Sequence, residues 1–145
     1  MATKKLLSWN VNGIRAIHRK GAFDAVLGLG ADVICMQETK AQPKQLVDEI
    51  LKPDGYHAYF SSAVRKGYSG VAIYSKEKAN EIEYGMGIER FDDEGRTIVA
   101  HFDDFVVLNH YYPNGKRDKT RLQYKMDFYE ACLDFTDKYV KAGKN

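Results

Sequence analysis

Among the residues of this chain that could do chemistry, Glu38 is marked by its position. It follows the short apolar run Val33-Ile34-Cys35-Met36 and is succeeded by Thr39-Lys40. A run of that length, bounded by Gly30 and later by Pro43, predicts a strand buried on both faces. In open α/β sheets, ligands collect where strands end on their carboxyl side. A carboxylate there is either a metal ligand or a surface acid paired with Lys40. Other strands delivering polar groups to the same rim would favour the first.

Several do. The strand read over Lys5 to Trp9 ends in Asn10-Val11-Asn12-Gly13, so two amides emerge at its carboxyl end, although Asn12-Gly13 is also an ordinary turn signature. The strand read over Phe105 to Tyr111 runs into Tyr112-Pro113-Asn114-Gly115. Pro113 cannot continue a central strand, which leaves Tyr111 and Asn114 at the rim. Basic stretches follow both: Arg15, His18, Arg19 and Lys20 after the first, and Lys116, Arg117, Lys119 and Arg121 after the second. In the loop Arg65-Lys66-Gly67-Tyr68-Ser69-Gly70, Lys66 lies near an aromatic ring. That pairing suits a nucleic-acid backbone, and a surface turn explains it equally well.

Neither the four histidines nor the two cysteines follow metal-ligand spacing. Carboxylate and amide oxygens without nitrogen or sulfur ligands point to magnesium or manganese rather than zinc. Such an ion polarises a phosphoryl oxygen and stabilises a leaving alkoxide. Hydrolysis of a nucleic-acid phosphodiester is the reaction that uses all of these groups.

The elements must bring the groups together. A chain of 145 residues suits one domain, and a formal charge of +2 is too small to define a partner. No apolar run approaches the ~20 residues of a membrane span. The opening Met1-Ala2-Thr3-Lys4-Lys5 lacks the apolar region of a secretory signal, which leads to the expectation of a cytoplasmic protein with Cys35 and Cys132 as buried thiols. A helix over Ala22 to Leu29, between the first strand and the Glu38 strand, predicts a parallel unit with Asn10, Asn12 and Glu38 on one rim. Pro43 opens a short helix, and strands are predicted over Tyr56–Ser61, Val71–Tyr74 and Glu81–Tyr84, with Arg96–Phe102 and Phe105–Tyr111 as an antiparallel pair. The last element is a helix over Thr120 to Lys141. Its stripe Leu122, Met126, Tyr129, Leu133 and Val140, with Phe128, Cys132, Phe135 and Tyr139 beside it, reads as core.

These residues also carry a resemblance. Leu7-Ser8-Trp9-Asn10-Val11-Asn12-Gly13-Ile14-Arg15-Ala16, Gln37-Glu38-Thr39-Lys40, Gly67-Tyr68-Ser69-Gly70-Val71, Asp93-Glu94-Gly95-Arg96-Thr97-Ile98-Val99-Ala100 and Tyr111-Tyr112-Pro113-Asn114-Gly115 resemble, in order along nearly the whole chain, the exonuclease III/AP endonuclease family. The resemblance implies a DNase I-like four-layer α/β sandwich and magnesium- or manganese-dependent cleavage of double-stranded DNA beside abasic sites, often with 3′ exonuclease or 3′ phosphodiesterase activity. It implies a metal held by Glu38 with Asn10 close by and Asn12 at a position that is Asp or Asn in relatives. Tyr111 would orient the phosphate or support the leaving group, Asn114 would contact phosphate, and Arg15, Lys20 and Tyr68 would touch the DNA backbone.

Members of that family are much longer. Their later half holds a Gly-Asp-x-Asn motif with the proposed general base and a Ser-Asp-His motif, and neither occurs in these 145 residues. The expectation is therefore the N-terminal half of one nuclease domain, contributing one mixed sheet with flanking helices, and inactive alone. Its open inner sheet face would be covered by the other half or by a second copy. Two rival readings stand beside this one: a non-catalytic fragment that binds DNA or a protein partner, and a metal phosphoesterase acting on lipid or inositol phosphates.

Overall fold

The computed structural model describes residues 3–145, so Met1 and Ala2, where the absence of a secretory signal was read, lie outside it. The elements in chain order are β1 (Leu6–Asn10), α1 (Ile14–Arg19), α2 (Ala22–Leu27), β2 (Val33–Gln37), a single 3₁₀ turn (Pro43–Gln45), α3 (Asp48–Leu51), β3 (His57–Ser61), β4 (Val71–Ser75), β5 (Glu81–Tyr84), α4 (Glu89–Asp92), β6 (Thr97–His101), β7 (Val106–His110) and α5 (Lys119–Lys141). The expected helix over 22–29 is α2, and a further helix that was not expected, α1, precedes it. Ile14 and Ile17, three apart, bury one face of α1, and Gly21 takes a left-handed φ of 77° that separates it from α2. Arg15, His18 and Arg19 thus ride on a helix rather than precede one.

The strands form two sheets. The first is mixed, in the order β1-β2-β4-β3, with β1 parallel to β2 and the other pairs antiparallel. The second is antiparallel, in the order β5-β6-β7. The two-sided burial expected of Val33 to Met36 is what β2 shows, because it lies inside the first sheet with cover on both faces. Ile34, Met36, Ala72 and Tyr74 point outward into a core closed by Ile14, Ile17, Phe23 and Ile50 of the helices. Val33, Cys35, Val71 and Ile73 point inward against Ile98, Ala100 and Val107 of the second sheet. Phe128 and Cys132 of α5 close the outside of that second sheet with Phe91. The layers are helix, sheet, sheet, helix.

This arrangement corrects the expectation of one sheet with an open inner face. The chain contributes strands to both sheets, and their inner faces cover each other. What stays open is one end of the sandwich. Among the described residues β1 pairs only with β2 and β7 only with β6, and a groove of about 590 Å³ between them is lined by Leu6, Ser8, Asn10, Val107, Asn109 and Tyr111 among others.

The last helix also differs from expectation. Phe128, Cys132 and Tyr139 face the sheet, while Leu133 and Val140 are 69% and 64% exposed, and Leu122, Met126 and Tyr129 are exposed beside them. An apolar arc wider than one contact offers two candidate faces. The deciding factor is what the sheet presents: Phe91 and His110 pack against Phe128 at 5.2 and 6.2 Å. Both cysteines are free and buried as expected, and burial pushes the Cys35 thiol up to about 12.

His110 supplies a pH signature. Its ring lies among Tyr112, Phe128 and Phe135, Nδ1 lies 2.8 Å from the Thr97 hydroxyl, and Nε2 is buried with no partner. Burial pushes its pKa down to about 4 from 6.5. As the pH falls through 6.5 the unfolded chain takes up this proton first, so the stabilisation present above 6.5 is lost progressively towards 4. By pH 5 the loss should be ~2 kcal/mol, measured by urea denaturation and absent in His110→Phe. An unchanged pH slope in that variant would clear His110 of the effect.

Candidate active site

Backbone pairing brings the rim together. Beyond the β1–β2 ladder the two chains stay zipped: Val11 N–H donates to the Gln37 carbonyl at 3.0 Å, Gly13 N–H to that of Glu38 at 2.8 Å and Ile14 N–H to that of Thr39 at 2.9 Å. On the other side, Thr39 and Lys40 N–H donate to the carbonyls of Gly70 and Ser69 at 3.1 and 2.8 Å. Glu38 is therefore the crest of a turn clamped between two loops. Asn12, Glu38, Lys40 and Ser69 have left-handed φ values of 47°, 58°, 53° and 51°. A non-glycine residue there costs ~1–2 kcal/mol, and such residues gather at functional sites. Four in adjacent loops indicate side chains held in place at the expense of backbone comfort.

Tyr111 meets Glu38 from the second sheet. Its hydroxyl donates to Glu38 Oε1 at 2.5 Å. Burial, then the bond to Glu38, raises the phenol far above its ordinary range, so it is a neutral proton donor at physiological pH. The sheet-to-sheet register that permits this contact comes from Asn109, which is buried within β7. Its amide donates to the carbonyls of Met36 at 3.1 Å and Ala72 at 2.9 Å, and its Oδ1 accepts from Gln37 Nε2 at 2.8 Å. A side chain from one sheet thereby satisfies backbone groups of the other. Sequence reading missed Asn109, whose only signal is one amide in the otherwise apolar stretch Val106-Val107-Leu108.

Glu38, Lys40, Tyr68, Arg96, Tyr111, Asn114, Arg117 and Arg121 line one pocket of about 380 Å³. Of the predicted site residues, the pocket thus gathers Glu38, Tyr68, Tyr111 and Asn114. Asn10 lines the neighbouring groove between β1 and β7, which shares Tyr111 with the pocket. Its Oδ1 accepts from the Asn12 N–H at 3.1 Å. Asn12 Oδ1 accepts from the Lys40 ammonium at 2.6 Å, so Lys40 is bound to that amide and not to Glu38. Arg15 turns inward, donating to the Lys40 carbonyl at 3.0 Å, and supports the Glu38 turn from below. Lys20 and Lys66 are exposed and lie outside the lining of the pocket. Asn114 Oδ1 accepts from Lys116 N–H at 2.9 Å, which leaves its amide donors free.

The wall opposite Glu38 is cationic. Glu94 accepts from Arg121 at 2.9 and 3.1 Å and from Arg96 at 2.7 Å, while the Tyr68 hydroxyl accepts from Arg96 at 2.9 Å and from Arg121 at 3.2 Å. Burial opposes ionisation of Glu94, but hydrogen bonds from Arg121 and then Arg96 outweigh it and hold its pKa below the ordinary value. Two guanidinium groups sharing one carboxylate leave a net positive wall suited to phosphate. Arg96 and Arg121 were visible in the sequence as cations but not as partners, since 25 residues and a strand pair separate them.

A hard cation at this rim would need oxygen donors. Glu38 Oε2 and the Asn10 amide oxygen are donors of the right chemistry, whereas the Asn12 oxygen faces an ammonium. Among the described residues no three His, Cys, Asp or Glu side chains converge on one point. Glu38 has the chemistry for one side of a metal site, while the oxygens of Asn10 and Asn12 already accept from the Asn12 N–H and the Lys40 ammonium.

A helix–sheet–sheet–helix sandwich with polar groups gathered at one rim is the arrangement of the DNase I-like α/β fold. Residues 7–142 match the Endonuclease/Exonuclease/phosphatase family, and the chain belongs to that family of metal-dependent phosphodiesterases. It is 47% identical over 132 residues to an exodeoxyribonuclease of Bacillus subtilis (strain 168), covering 90% of this chain and 51% of that one. Over 132 residues it is 39% identical to a DNA-(apurinic or apyrimidinic site) endonuclease of Dictyostelium discoideum, covering 90% of this chain and 36% of the other. The solved structure of an AP endonuclease from Archaeoglobus fulgidus superposes with a TM-score of 0.81 at 33% identity, over 94% of this chain and 52% of that one. The chain spans about half or less of the length of these relatives.

Proposed function

We propose that this chain is part of a magnesium-dependent DNA-repair nuclease that hydrolyses the phosphodiester beside an abasic site and trims damaged 3′ ends. The observation that carries the reading is the Glu38–Tyr111 contact facing a wall of guanidinium groups inside one pocket. The names of the relatives, an exodeoxyribonuclease and an abasic-site endonuclease, support DNA as the substrate.

The residues divide the work. Glu38, with Asn10, would hold the cation, and a bound magnesium would supply charge to a non-bridging phosphoryl oxygen and to the leaving oxygen. Tyr111, kept protonated, offers its hydroxyl proton to the phosphoryl group once Glu38 is engaged elsewhere. The Asn114 amide donates to a phosphate oxygen, and Arg121 with Lys40 holds the neighbouring charge. Lys20, Lys66 and Arg19 lie outside the pocket, where a DNA backbone would run past it.

One carboxylate among neutral amides holds magnesium weakly, and nothing in the pocket is free to activate water. The 145 residues alone therefore bind DNA and do not cleave it. We place the complementing half of the domain, or a second copy of the chain, on the open β1 and β7 edges, where it would add strands and carboxylates. The test is to offer the protein abasic duplex, intact duplex and inositol phosphates, with magnesium and then with chelator. We expect duplex binding that weakens steeply with salt and no turnover of inositol phosphates. Failure to bind DNA at low salt, or hydrolysis of the inositol phosphates, would overturn the assignment.

A further inference from the structure

Tyr111 occupies an insecure place. It lies one residue beyond β7 and two before Pro113, so its last ladder contact is its N–H to the Arg96 carbonyl at 2.8 Å. Its ring must nevertheless reach across to the first sheet to meet Glu38. The Arg96 side chain, 2% exposed, fills the space behind it. Its Nη1 donates to the Tyr111 carbonyl at 3.0 Å, its Nη2 to the Tyr68 hydroxyl at 2.9 Å and its Nε to Glu94 at 2.7 Å. The guanidinium carbon also lies 5.0 Å from the centre of the Tyr111 ring. Backbone, ring and neighbouring phenol are thus fixed by one planar group.

We propose that Arg96 is the positioning residue for Tyr111, a buried fork that sets the backbone and ring of the tyrosine so that its hydroxyl reaches Glu38 across the two sheets. The proposal rests on the phosphodiesterase reading for its consequence, but the geometry stands without it. Arg96 lends its charge to the pocket wall, but at 2% exposure and with Nε, Nη1 and Nη2 each committed to a protein acceptor it does not itself grip a duplex, so it acts through Tyr111. A lysine carries the same charge but cannot donate in three fixed directions or lie flat beneath a ring. Glu94 completes the device by holding the fork in orientation, with Arg121 neutralising the second carboxylate oxygen.

The test uses the full chain labelled with 3-fluorotyrosine and read by ¹⁹F NMR, with the Tyr111 line assigned through Tyr111→Phe. In the unsubstituted protein Glu38→Gln should move that line, because the phenol exchanges a charged acceptor for a neutral one. With Arg96→Lys the line should broaden and its response to Glu38→Gln fall by at least ~half, the signature of a lost coupling. Tyr74 and Tyr139, whose hydroxyls bond Ile50 and Glu83, should keep their lines, which a general loosening of the fold would not allow. If Arg96→Lys does not fold, Glu94→Gln, which releases the fork without removing it, carries the same expectation at smaller amplitude. A folded variant with an unchanged Tyr111 line and response overturns the proposal. In an assembly competent for nicking, Arg96→Lys should lower kcat ~10–100-fold while KM moves less than ~2-fold. Absence of nicking by the unsubstituted assembly would count against the proposed function alone.

Discussion

Glu38→Ala is expected to abolish the affinity of this chain for magnesium and manganese, and with it any metal-dependent cleavage in an assembly that cleaves. Among the described residues Glu38 is the one carboxylate lining the pocket, and Glu94 behind that lining is taken by Arg96 and Arg121. Removing it leaves amide oxygens only, and those do not strip water from a divalent ion. The fold should survive, because alanine meets the same backbone cost at φ 58° as glutamate does. The lost bond from Tyr111 is partly exposed, so water can replace it, and stability should fall by no more than ~1–2 kcal/mol. Manganese binding followed by electron paramagnetic resonance, beside thermal unfolding, separates the two effects. Metal affinity within ~3-fold of the unsubstituted protein would remove Glu38 from the site, because losing a charged ligand normally costs more.

Gly95→Ala is expected to be the most destabilising small substitution near the pocket. Gly95 has a φ of 59°, and a Cβ there would lie 2.4 Å from the Ser62 carbonyl carbon and 2.5 Å from the Ala63 nitrogen. Both are backbone atoms of a loop tied back by the Val64 N–H to the Asp93 carbonyl at 2.9 Å. The left-handed conformation costs ~1–2 kcal/mol, and forcing two backbones apart should bring the total to ~3 kcal/mol or more. Gly55→Ala is the control, because Gly55 has a φ of 81° but nothing within 4 Å of its added Cβ. Denaturant unfolding of the two variants isolates the steric part. Equal losses would mean that the Ser62–Ala63 loop yields freely and that close approach is not what Gly95 provides.

The comparison of Gly95 with Gly55 shows where sequence reading stops. Both are glycines after an acidic residue, and only the loop that returns from Ser62 makes one of them irreplaceable. Arg96 follows the same logic. Its type and its place at the start of a strand read over Arg96–Phe102 were legible, but its three hydrogen bonds reach Glu94, Tyr111 and Tyr68, and no periodicity encodes contacts across loops. Asn12 shows the limit in the other direction. Its motif places it beside Glu38, yet the Lys40 ammonium occupies its oxygen.

The sequence alone determined what depends on local rules. Apolar runs and the turn residues after them located β1, β2 and β7, and because strand ends deliver side chains to a rim, Glu38, Asn10, Tyr111 and Asn114 could be picked out. Tertiary structure decided what depends on surfaces meeting. It selected the Phe128 face of α5 over the Leu133 face, because an arc apolar on both sides is oriented only by the sheet beneath it. It set two sheets rather than one and covered the inner face expected to be open, since strand order lies beyond side-chain period. It also joined Glu38 to Tyr111, 73 residues apart, through the Asn109 bridge and the Arg96 fork, contacts made of long-range hydrogen bonds that only the packed chain possesses.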